Sequence, residues 1–213
     1  MQSWFIPVGL YCERIDTSFW GEPVNAITNI AFWLAGWLIW RQPHRQARLL
    51  GGLIAAVGLG SFLFHTFANA LTGLLDVLAI AAYLLTYAWL WPRLAHASPR
   101  SVQAASLTGL LVAIAFASVL TRIVLVDWPL PPGSYLGAWF YLLVIATLAS
   151  RQSHAGVRWL WLAAVLFVFS MTARELDVPL CQTMGGTHWL WHLLNAAVLY
   201  FSAKAILSTP QRT

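Results

Sequence analysis

Long apolar runs alternate with short polar segments along the chain. The runs cover approximately residues 24–40, 49–68, 73–91, 102–121, 134–150, 156–173 and 187–207. Each run is close to the roughly 20 residues that a helix needs to cross about 30 Å of hydrocarbon. Unbroken apolar runs favour helices over the alternating strands of a barrel, because hydrocarbon leaves every backbone polar group to be satisfied within its own segment. The pattern predicts an all-α integral membrane protein, a bundle of seven transmembrane helices.

The composition agrees with this pattern and excludes a soluble domain. Of the 213 residues 60% are hydrophobic and only 9% are charged, whereas about 25% is usual in soluble proteins. We therefore expect one domain over residues 1–213, in which residues 1–23 form an outer N-terminal segment. The net charge of +5 comes from scattered basic residues, which does not indicate a nucleic-acid partner.

Basic residues are unevenly divided between the two ends of the predicted helices. Short loops rich in Lys and Arg remain on the cytoplasmic side of a membrane. One side carries Arg41, Arg45, Arg48, Arg93, Arg100, Arg151, Arg158, Lys204 and Arg212. The other side carries Arg14, Arg122 and Arg174, with the acidic residues Glu13, Asp16, Glu22, Asp127, Glu175 and Asp177. This division predicts an N-terminus outside and a C-terminus in the cytoplasm.

Both cysteines, Cys12 and Cys181, fall in the predicted outer segments. An oxidising compartment allows such cysteines to pair. A disulfide and two free thiols both remain open at this point, because spacing in the sequence does not establish the distance between the two Cα atoms.

Ionisable side chains inside membrane helices are costly, so each one is a functional candidate. His65 ends the second predicted helix, Asp76 opens the third, and His188 and His192 open the seventh. Their predicted positions place all four toward the outer face. His188 and His192 are four residues apart, so both lie on one face of a helix. His44, His96 and His154 fall in predicted cytoplasmic loops and are expected to be solvated.

Three imidazoles at one membrane depth are the usual protein ligands of a catalytic zinc, which keeps a fourth position for water. Zinc lowers the pKa of water to roughly 7 and so provides a nucleophile for an amide carbonyl. Asp76 is the candidate general acid and base. Ser61, four residues before His65, is the candidate donor to the oxyanion, with helix packing as its alternative. Hydrogen bonding between helices without a metal is the alternative for the histidines.

Several short motifs together resemble the alkaline ceramidase family, a group of seven-helix membrane amidohydrolases related to adiponectin-receptor-like proteins. The motifs are YCE at Tyr11, Cys12 and Glu13, EPVNAITN at residues 22–29, SxxxH at Ser61 and His65, Asp76, and HxxxH at His188 and His192. The resemblance implies a zinc ion held by the three histidines, with Ser61 and Asp76 beside it. It also implies a disulfide between Cys12 and Cys181.

Calcium is the second cofactor that the resemblance implies. In animal members acidic residues around the first motif bind calcium, and here Glu13 and Glu22 match them, with Asp16 as a further oxygen ligand. Calcium prefers several such oxygens. The acidic residue two positions before the motif cysteine is replaced by Leu10. A solvated outer loop is the alternative for these three acidic residues.

The resemblance implies a membrane lipid substrate, ceramide or another N-acyl lipid, which is cleaved to a fatty acid and an amine-bearing lipid. The aromatic residues of the fifth predicted helix, Tyr135, Trp139, Phe140 and Tyr141, are candidates to line the lipid pocket. Arg-rich short loops favour a bacterial inner (plasma) membrane, with the active site toward the periplasm. The alternatives are a seven-helix receptor or regulatory protein with a structural zinc, and a lipid esterase of the same group.

Overall fold

A computed structural model describes residues 3–96, 98–126 and 132–208. Asp127 and Arg212, two of the charges used to predict orientation, lie outside the described residues. The structure is 77% helix, and the part of the chain that it describes contains no strand. This confirms the predicted all-α class.

The helices follow the apolar runs closely. They are α1 (Pro23–Thr28), α2 (Ile30–Trp40), α3 (Ala47–Phe67), α4 (Ala70–His96), α5 (Arg100–Val124), α6 (Gly133–Arg151), α7 (Val157–Glu175), α8 (Cys181–Met184) and α9 (His188–Leu207), after a 3-10 turn at Ser3–Phe5. Six of the described helices are long and apolar enough to cross a membrane, namely α3, α4, α5, α6, α7 and α9. The chain is therefore an integral membrane protein.

The first predicted helix, residues 24–40, is interrupted at Asn29. Its side-chain Nδ2 donates to the carbonyl of Asn25 at 2.9 Å, and the backbone N–H of Phe32 donates to the Asn29 carbonyl at 3.0 Å. Asparagine competes in this way with the regular helical ladder. The run therefore forms two consecutive helices, of which α2 has only 11 residues.

A tight turn joins α3 to α4, as expected from the short gap between His65 and Asp76. Ala68 adopts the left-handed conformation, with φ of 40°, and ends α3. Asn69 and Thr72 then bond reciprocally: Thr72 N donates to Asn69 Oδ1 at 3.1 Å, and Asn69 N donates to Thr72 Oγ1 at 3.2 Å. This exchange satisfies backbone donors at the start of α4.

The long helices form a closed ring. Each of α2 to α7 packs on its neighbour along the chain, and α9 packs on α7 and also on α2, which closes the ring. At the contact of α2 and α3, a Cβ on Gly36 would lie 2.6 Å from the Gly51 carbonyl oxygen, and a Cβ on Gly51 would lie 2.5 Å from the Gly36 oxygen. Small residues here let the two backbones touch.

The expectation that His96 and His154 are solvated loop residues was wrong. α4 continues through Pro92 to His96, and His154 is only 8% exposed, with its ring 5.1 Å from the ring of Trp91. Gly156 N donates to His154 Nδ1 at 2.9 Å. Burial, together with the nearby His96 ring, lowers the pKa of His154. The turn between α6 and α7 folds back onto the bundle, which the local polar sequence does not reveal.

Candidate metal centre

Three histidines from two helices converge inside the bundle. His65 lies in the last turn of α3, and His188 and His192 lie in the first two turns of α9. All three are buried, and one ring nitrogen from each lies within 4.8 Å of those from the other two. Among the described residues, this is the one group of three or more His, Cys, Asp or Glu side chains that could hold a metal ion.

The hydrogen bonds of His65 and His192 indicate which nitrogens face the centre. Glu22 Oε2 accepts from His65 Nδ1 at 2.5 Å. Thr28 Oγ1, whose own proton is donated to the carbonyl of Val24, lies 2.8 Å from His192 Nδ1 and accepts from it. A neutral imidazole protonated at Nδ1 carries a lone pair at Nε2. The two Nε2 atoms, 3.1 Å apart, therefore direct lone pairs toward each other.

His188 completes the group from the start of α9. Its ring stacks on that of Tyr11, with 3.6 Å between centroids and an angle of 20°. Its Nδ1 is buried and has no hydrogen-bond partner in the described part of the chain. Opposed lone pairs and an unpartnered buried nitrogen are unfavourable without a cation. Three buried imidazoles, two of which have an outer hydrogen-bond partner on Nδ1, fit a zinc-type ion well.

The residues around Glu22 hold His65 in place. Glu22 is almost fully buried, and Arg14 Nε and Asn25 Nδ2 donate to its two oxygens at 2.6 and 3.0 Å. Burial raises the pKa of Glu22, but hydrogen bonds from His65, Asn25 and Arg14 outweigh it and hold the pKa below its ordinary value. The carboxylate is therefore ionised and orients the His65 ring.

A covalent link and a shared carboxylate fasten the N-terminal segment to the start of α9. Cys12 and Cys181 form a disulfide with 5.4 Å between Cα atoms, which confirms the predicted pair. Asp177 Oδ2 accepts from Cys12 N at 2.8 Å, while its Oδ1 accepts from Thr187 N and His188 N at 2.8 and 2.9 Å. One side chain thus caps α9 and fixes the segment that places Tyr11 over His188.

Ser61 and Asp76 occupy different places relative to the histidines. Ser61 Oγ lies 3.4 Å from His192 Nε2, inside the buried group. Asp76 lies across the contact of α3 and α4, where a Cβ on Gly60 would come within 3.0 Å of the Asp76 Cα. Its Oδ1 is buried and accepts no hydrogen bond from the described residues.

The three expected calcium ligands are engaged separately. Glu13 Oε1 and Oε2 accept from Val24 N and Asn25 N, both at 2.7 Å, and so cap α1. Asp16 Oδ1 accepts from Ser18 N at 2.9 Å, and both oxygens of Glu22 accept N–H bonds. Carboxylates arranged in this way do not fit a shared calcium ion. The positive charge beside Glu22 is the guanidinium of Arg14.

An apolar cavity of about 50 Å³ lies along α9 beyond the histidines. It is lined by Ile80, Tyr83, Leu84, Tyr87, Tyr135, Ala138, Tyr141, Leu142, Ile145, Phe167, Asn195, Val198, Leu199 and Ser202. Asn195 lies one turn after His192. Of the four aromatic residues expected to line the lipid pocket, Tyr135 and Tyr141 line this cavity. Trp139 instead donates to the carbonyl of Ala164, and Phe140 is 46% exposed.

Sequence reasoning missed Arg14, Thr28 and Asp177 as site residues. Thr28 lies within the EPVNAITN motif and Arg14 directly follows the YCE motif. The motifs therefore mark these positions but do not indicate what either side chain does. The sequence around Asp177 does not indicate its role, because the backbone donors that it binds are 165 residues away in one case and 10 and 11 residues away in the others. Its role depends on the disulfide-linked fold.

The helical membrane fold with its buried group of three histidines defines a class: a membrane-embedded protein with an internal group of side chains that could hold a metal ion. A model of the Ceramidase family matches residues 11–209. The chain therefore belongs to the Ceramidase family, whose members act on the N-acyl amide of ceramide, and it is a hydrolase. Comparisons with curated proteins and with solved structures gave no significant match.

Proposed function

We propose that this protein is a zinc-dependent intramembrane amidohydrolase that cleaves the N-acyl amide of ceramide or a related N-acyl lipid. His65, His188 and His192 would hold the zinc ion. The observation that carries the proposal is the pair of Nε2 atoms, 3.1 Å apart, whose Nδ1 atoms are both held by outer partners. That arrangement leaves two lone pairs facing one point, which a cation would stabilise.

A zinc ion at this point would supply Lewis-acid chemistry, which lowers the pKa of a water molecule and polarises a carbonyl. The overall reaction adds water across the amide, breaks the C–N bond, and yields a carboxylic acid and an amine. We assign Asp76 Oδ1 as the atom that accepts a proton from water and delivers it to the leaving amine. We assign Ser61 Oγ as a donor to the oxygen that gains charge at the scissile carbon.

A catalytic site is favoured over a structural one by the number of protein ligands. Structural zinc sites normally use four protein ligands, whereas catalytic sites use three and keep one position open. The group found in the described residues has three members. This count favours hydrolysis over a receptor with a structural zinc, and leaves ester cleavage by the same machinery as the second candidate.

We assign the apolar cavity beside Asn195 to a hydrocarbon chain of the substrate. Its lining is hydrophobic apart from a few hydroxyls and one amide, as expected for a chain-binding pocket. Tyr83 and Tyr87 already donate their hydroxyls to the carbonyls of Leu199 and Ser202, at 2.9 and 3.0 Å. Asn195 belongs to the lining of this cavity and lies one turn after His192 on α9. A lipid that enters laterally from the bilayer would place its amide near the metal.

We further propose a single domain over residues 1–213 in which α1 and α2 together make a seventh crossing. The closed ring supports this, because α2 fills the place between α3 and α9. Seven crossings would leave the N-terminal segment and the histidines on the outer side of the membrane. In a bacterial plasma membrane this is the periplasmic side. The charge distribution of the loops supports this orientation.

The decisive experiment is metal analysis on detergent-purified protein, with release of fatty acid from a short fluorescent ceramide measured on the same samples. His188→Ala is compared with wild type and with His44→Ala, a histidine in the turn between α2 and α3. We expect about one zinc per chain in wild type and in the control, and loss of both zinc and hydrolysis in His188→Ala, because a catalytic zinc keeps few protein ligands.

The outcomes separate the candidate functions. Zinc without ceramide hydrolysis would reject ceramide and direct the assay to other N-acyl lipids and to lipid esters. Wild-type protein that contains no zinc and gains none from a zinc buffer would overturn the metal assignment. Full activity in His188→Ala would overturn the mechanism.

A further inference from the structure

Arg14 places a guanidinium group in a cradle of oxygen atoms next to the metal centre. Its Nε donates to Glu22 Oε1 at 2.6 Å, its Nη1 to the carbonyls of Asp16 and Ser18 at 3.3 and 3.1 Å, and its Nη2 to the carbonyl of His65 at 2.7 Å. All three guanidinium nitrogens are therefore used. Every acceptor is an oxygen, one from a carboxylate and three from the backbone.

The cradle is closely fitted around this group. The Arg14 side chain is only 6% exposed and that of Glu22 only 2%. A Cβ on Gly21 would lie 2.6 Å from Arg14 Nη1 and 2.7 Å from the Asp16 carbonyl oxygen. Gly21 therefore leaves room for the guanidinium, and a larger residue would displace it. This degree of enclosure distinguishes Arg14 from a surface arginine.

The acceptors form the kind of set that a hard divalent cation prefers. Carboxylate and carbonyl oxygens are the usual ligands of calcium. A guanidinium carries a permanent positive charge and directs several donors outward in a plane, so one side chain can satisfy several such oxygens at once. In this chain the place between Glu22 and the three carbonyls is filled by a side-chain cation.

Arg14 reaches His65 by two routes. Nη2 binds the His65 main-chain carbonyl, and Nε binds the carboxylate whose other oxygen accepts from His65 Nδ1 at 2.5 Å. Without Arg14, the buried Glu22 would lose its charge partner, and an uncompensated buried charge is strongly unfavourable. Arg14 is thus placed to fix both the backbone and the ring of His65.

We propose that Arg14 is the built-in cation of this site: its guanidinium takes the place of a calcium ion, positions His65 through Glu22, and makes the protein independent of calcium. Arg14 is a positioning residue in this assignment and does not touch the reacting atoms. The metal-affinity part rests on the proposed function, because it assumes that His65 binds a metal. The calcium part stands on the cradle alone.

The test compares wild type, Arg14→Ala and Arg14→Lys, with Arg122→Ala as the matched control. Arg122 is an exposed arginine in the last turn of α5. Two quantities are measured on the purified full chain: the affinity for zinc, by competition with a chromogenic chelator, and the melting temperature during a calcium titration into the millimolar range. Neither measurement uses a lipid substrate.

We expect the melting temperature of wild type and of Arg122→Ala to be unchanged by calcium. Arg14→Ala should bind zinc roughly 10- to 100-fold more weakly, the usual effect of losing support for a metal-binding histidine. Calcium should raise its melting temperature and recover part of the zinc affinity, because the vacated cradle is lined by oxygens. Arg14→Lys keeps the charge but has a single nitrogen, so its zinc affinity should lie between those of wild type and Arg14→Ala.

Three results would overturn the proposal. The first is a calcium-dependent rise in the wild-type melting temperature. The second is an Arg14→Ala zinc affinity equal to that of Arg122→Ala. The third is an Arg14→Ala protein that folds and does not respond to calcium. If Arg14→Ala does not purify in a folded form, Arg14→Lys decides the matter: wild-type zinc affinity in it would reject the positioning role, and weaker affinity would support it.

Zinc binding by wild type with no ceramide hydrolysis would reject the proposed substrate and leave this inference standing. Conversely, a wild-type melting temperature that rises with calcium, together with normal hydrolysis, would reject the inference and leave the proposed function standing. The two proposals therefore fail separately.

Discussion

In the rings of His65 and His192 the two nitrogens have different partners. The Nδ1 atoms of His65 and His192 donate to Glu22 and Thr28, and their Nε2 atoms face each other in the centre. Outer partners of this kind set the tautomer and the orientation of metal-binding histidines. At the scale of single residues, the orientation of these two rings therefore depends on Glu22 and Thr28, which lie outside the group of three histidines.

Thr28→Val tests this dependence. Valine has a similar shape but cannot accept the Nδ1 proton of His192, so the ring loses its orientation. We expect zinc affinity to fall roughly 10- to 100-fold with little change in the melting temperature of the metal-free protein. The matched control is Thr147→Val on the exposed face of α6. Equal affinity in the two variants would show that Thr28 does not support the centre.

Asp76→Asn separates metal binding from catalysis. The amide keeps the size of the carboxylate but cannot accept and return a proton, so we expect zinc content to stay at the wild-type level. Turnover of a fluorescent ceramide should fall by about 10²- to 10⁴-fold, the range of general acid–base catalysis. Loss of zinc in this variant would instead make Asp76 a ligand, and wild-type turnover would remove it from the mechanism.

At the scale of helices, small residues decide how closely neighbouring elements approach. Gly133 and Gly137 of α6 are four residues apart and face α5, where a Cβ on Gly137 would lie 2.5 Å from the Ile114 Cα and 2.6 Å from the Ala113 oxygen. In a membrane such close contact supplies van der Waals packing, because lipid offers no hydrophobic driving force between helices.

Gly137→Val is expected to push α5 and α6 apart. Overpacking of this kind typically costs about 1–3 kcal/mol, which should lower the melting temperature measured by intrinsic tryptophan fluorescence in detergent. Gly109→Val on α5 is the control, because no atom lies within 4 Å of the Cβ it would add. Similar melting temperatures for the two variants would rule out the close contact.

At the scale of the whole molecule, the ring of helices is joined to the N-terminal segment by a disulfide that spans 169 residues of sequence. Arg14 and Glu22 bind His65 at the end of α3, and Cys12 shares the Asp177 carboxylate with the start of α9, although all three residues precede the long helices. The disulfide and the Asp177 carboxylate thus hold the N-terminal segment against the start of α9, where His188 lies.

The positions of the two termini test the seventh crossing. Six crossings would leave both termini on one side of the membrane, whereas a crossing by α1 and α2 would place them on opposite sides. We expect a fluorescent protein fused to the C-terminus to fluoresce in the bacterial cytoplasm, and an N-terminal tag to be cleaved by protease added to spheroplasts. Protection of the N-terminal tag beside a fluorescent C-terminus would reject the seventh crossing.

Much of this arrangement follows from local sequence. Apolar runs set the long helices to within a few residues, because crossing hydrocarbon imposes a length that composition reveals directly. The spacing of His188 and His192 placed both rings on one face, since helical periodicity is local. The tight turn after His65 limited where Asp76 could lie.

Other features depend on contacts between distant parts of the chain. The tertiary structure brings Thr28 to His192 across 164 residues and Glu22 to His65 across 43 residues. It also buries His154, which a polar turn had suggested was solvated. Local patterns determine helices because backbone hydrogen bonds and membrane thickness act over short stretches. Which side chain orients a ring, or which cation fills a cradle, is decided only when packing sets the distances between elements.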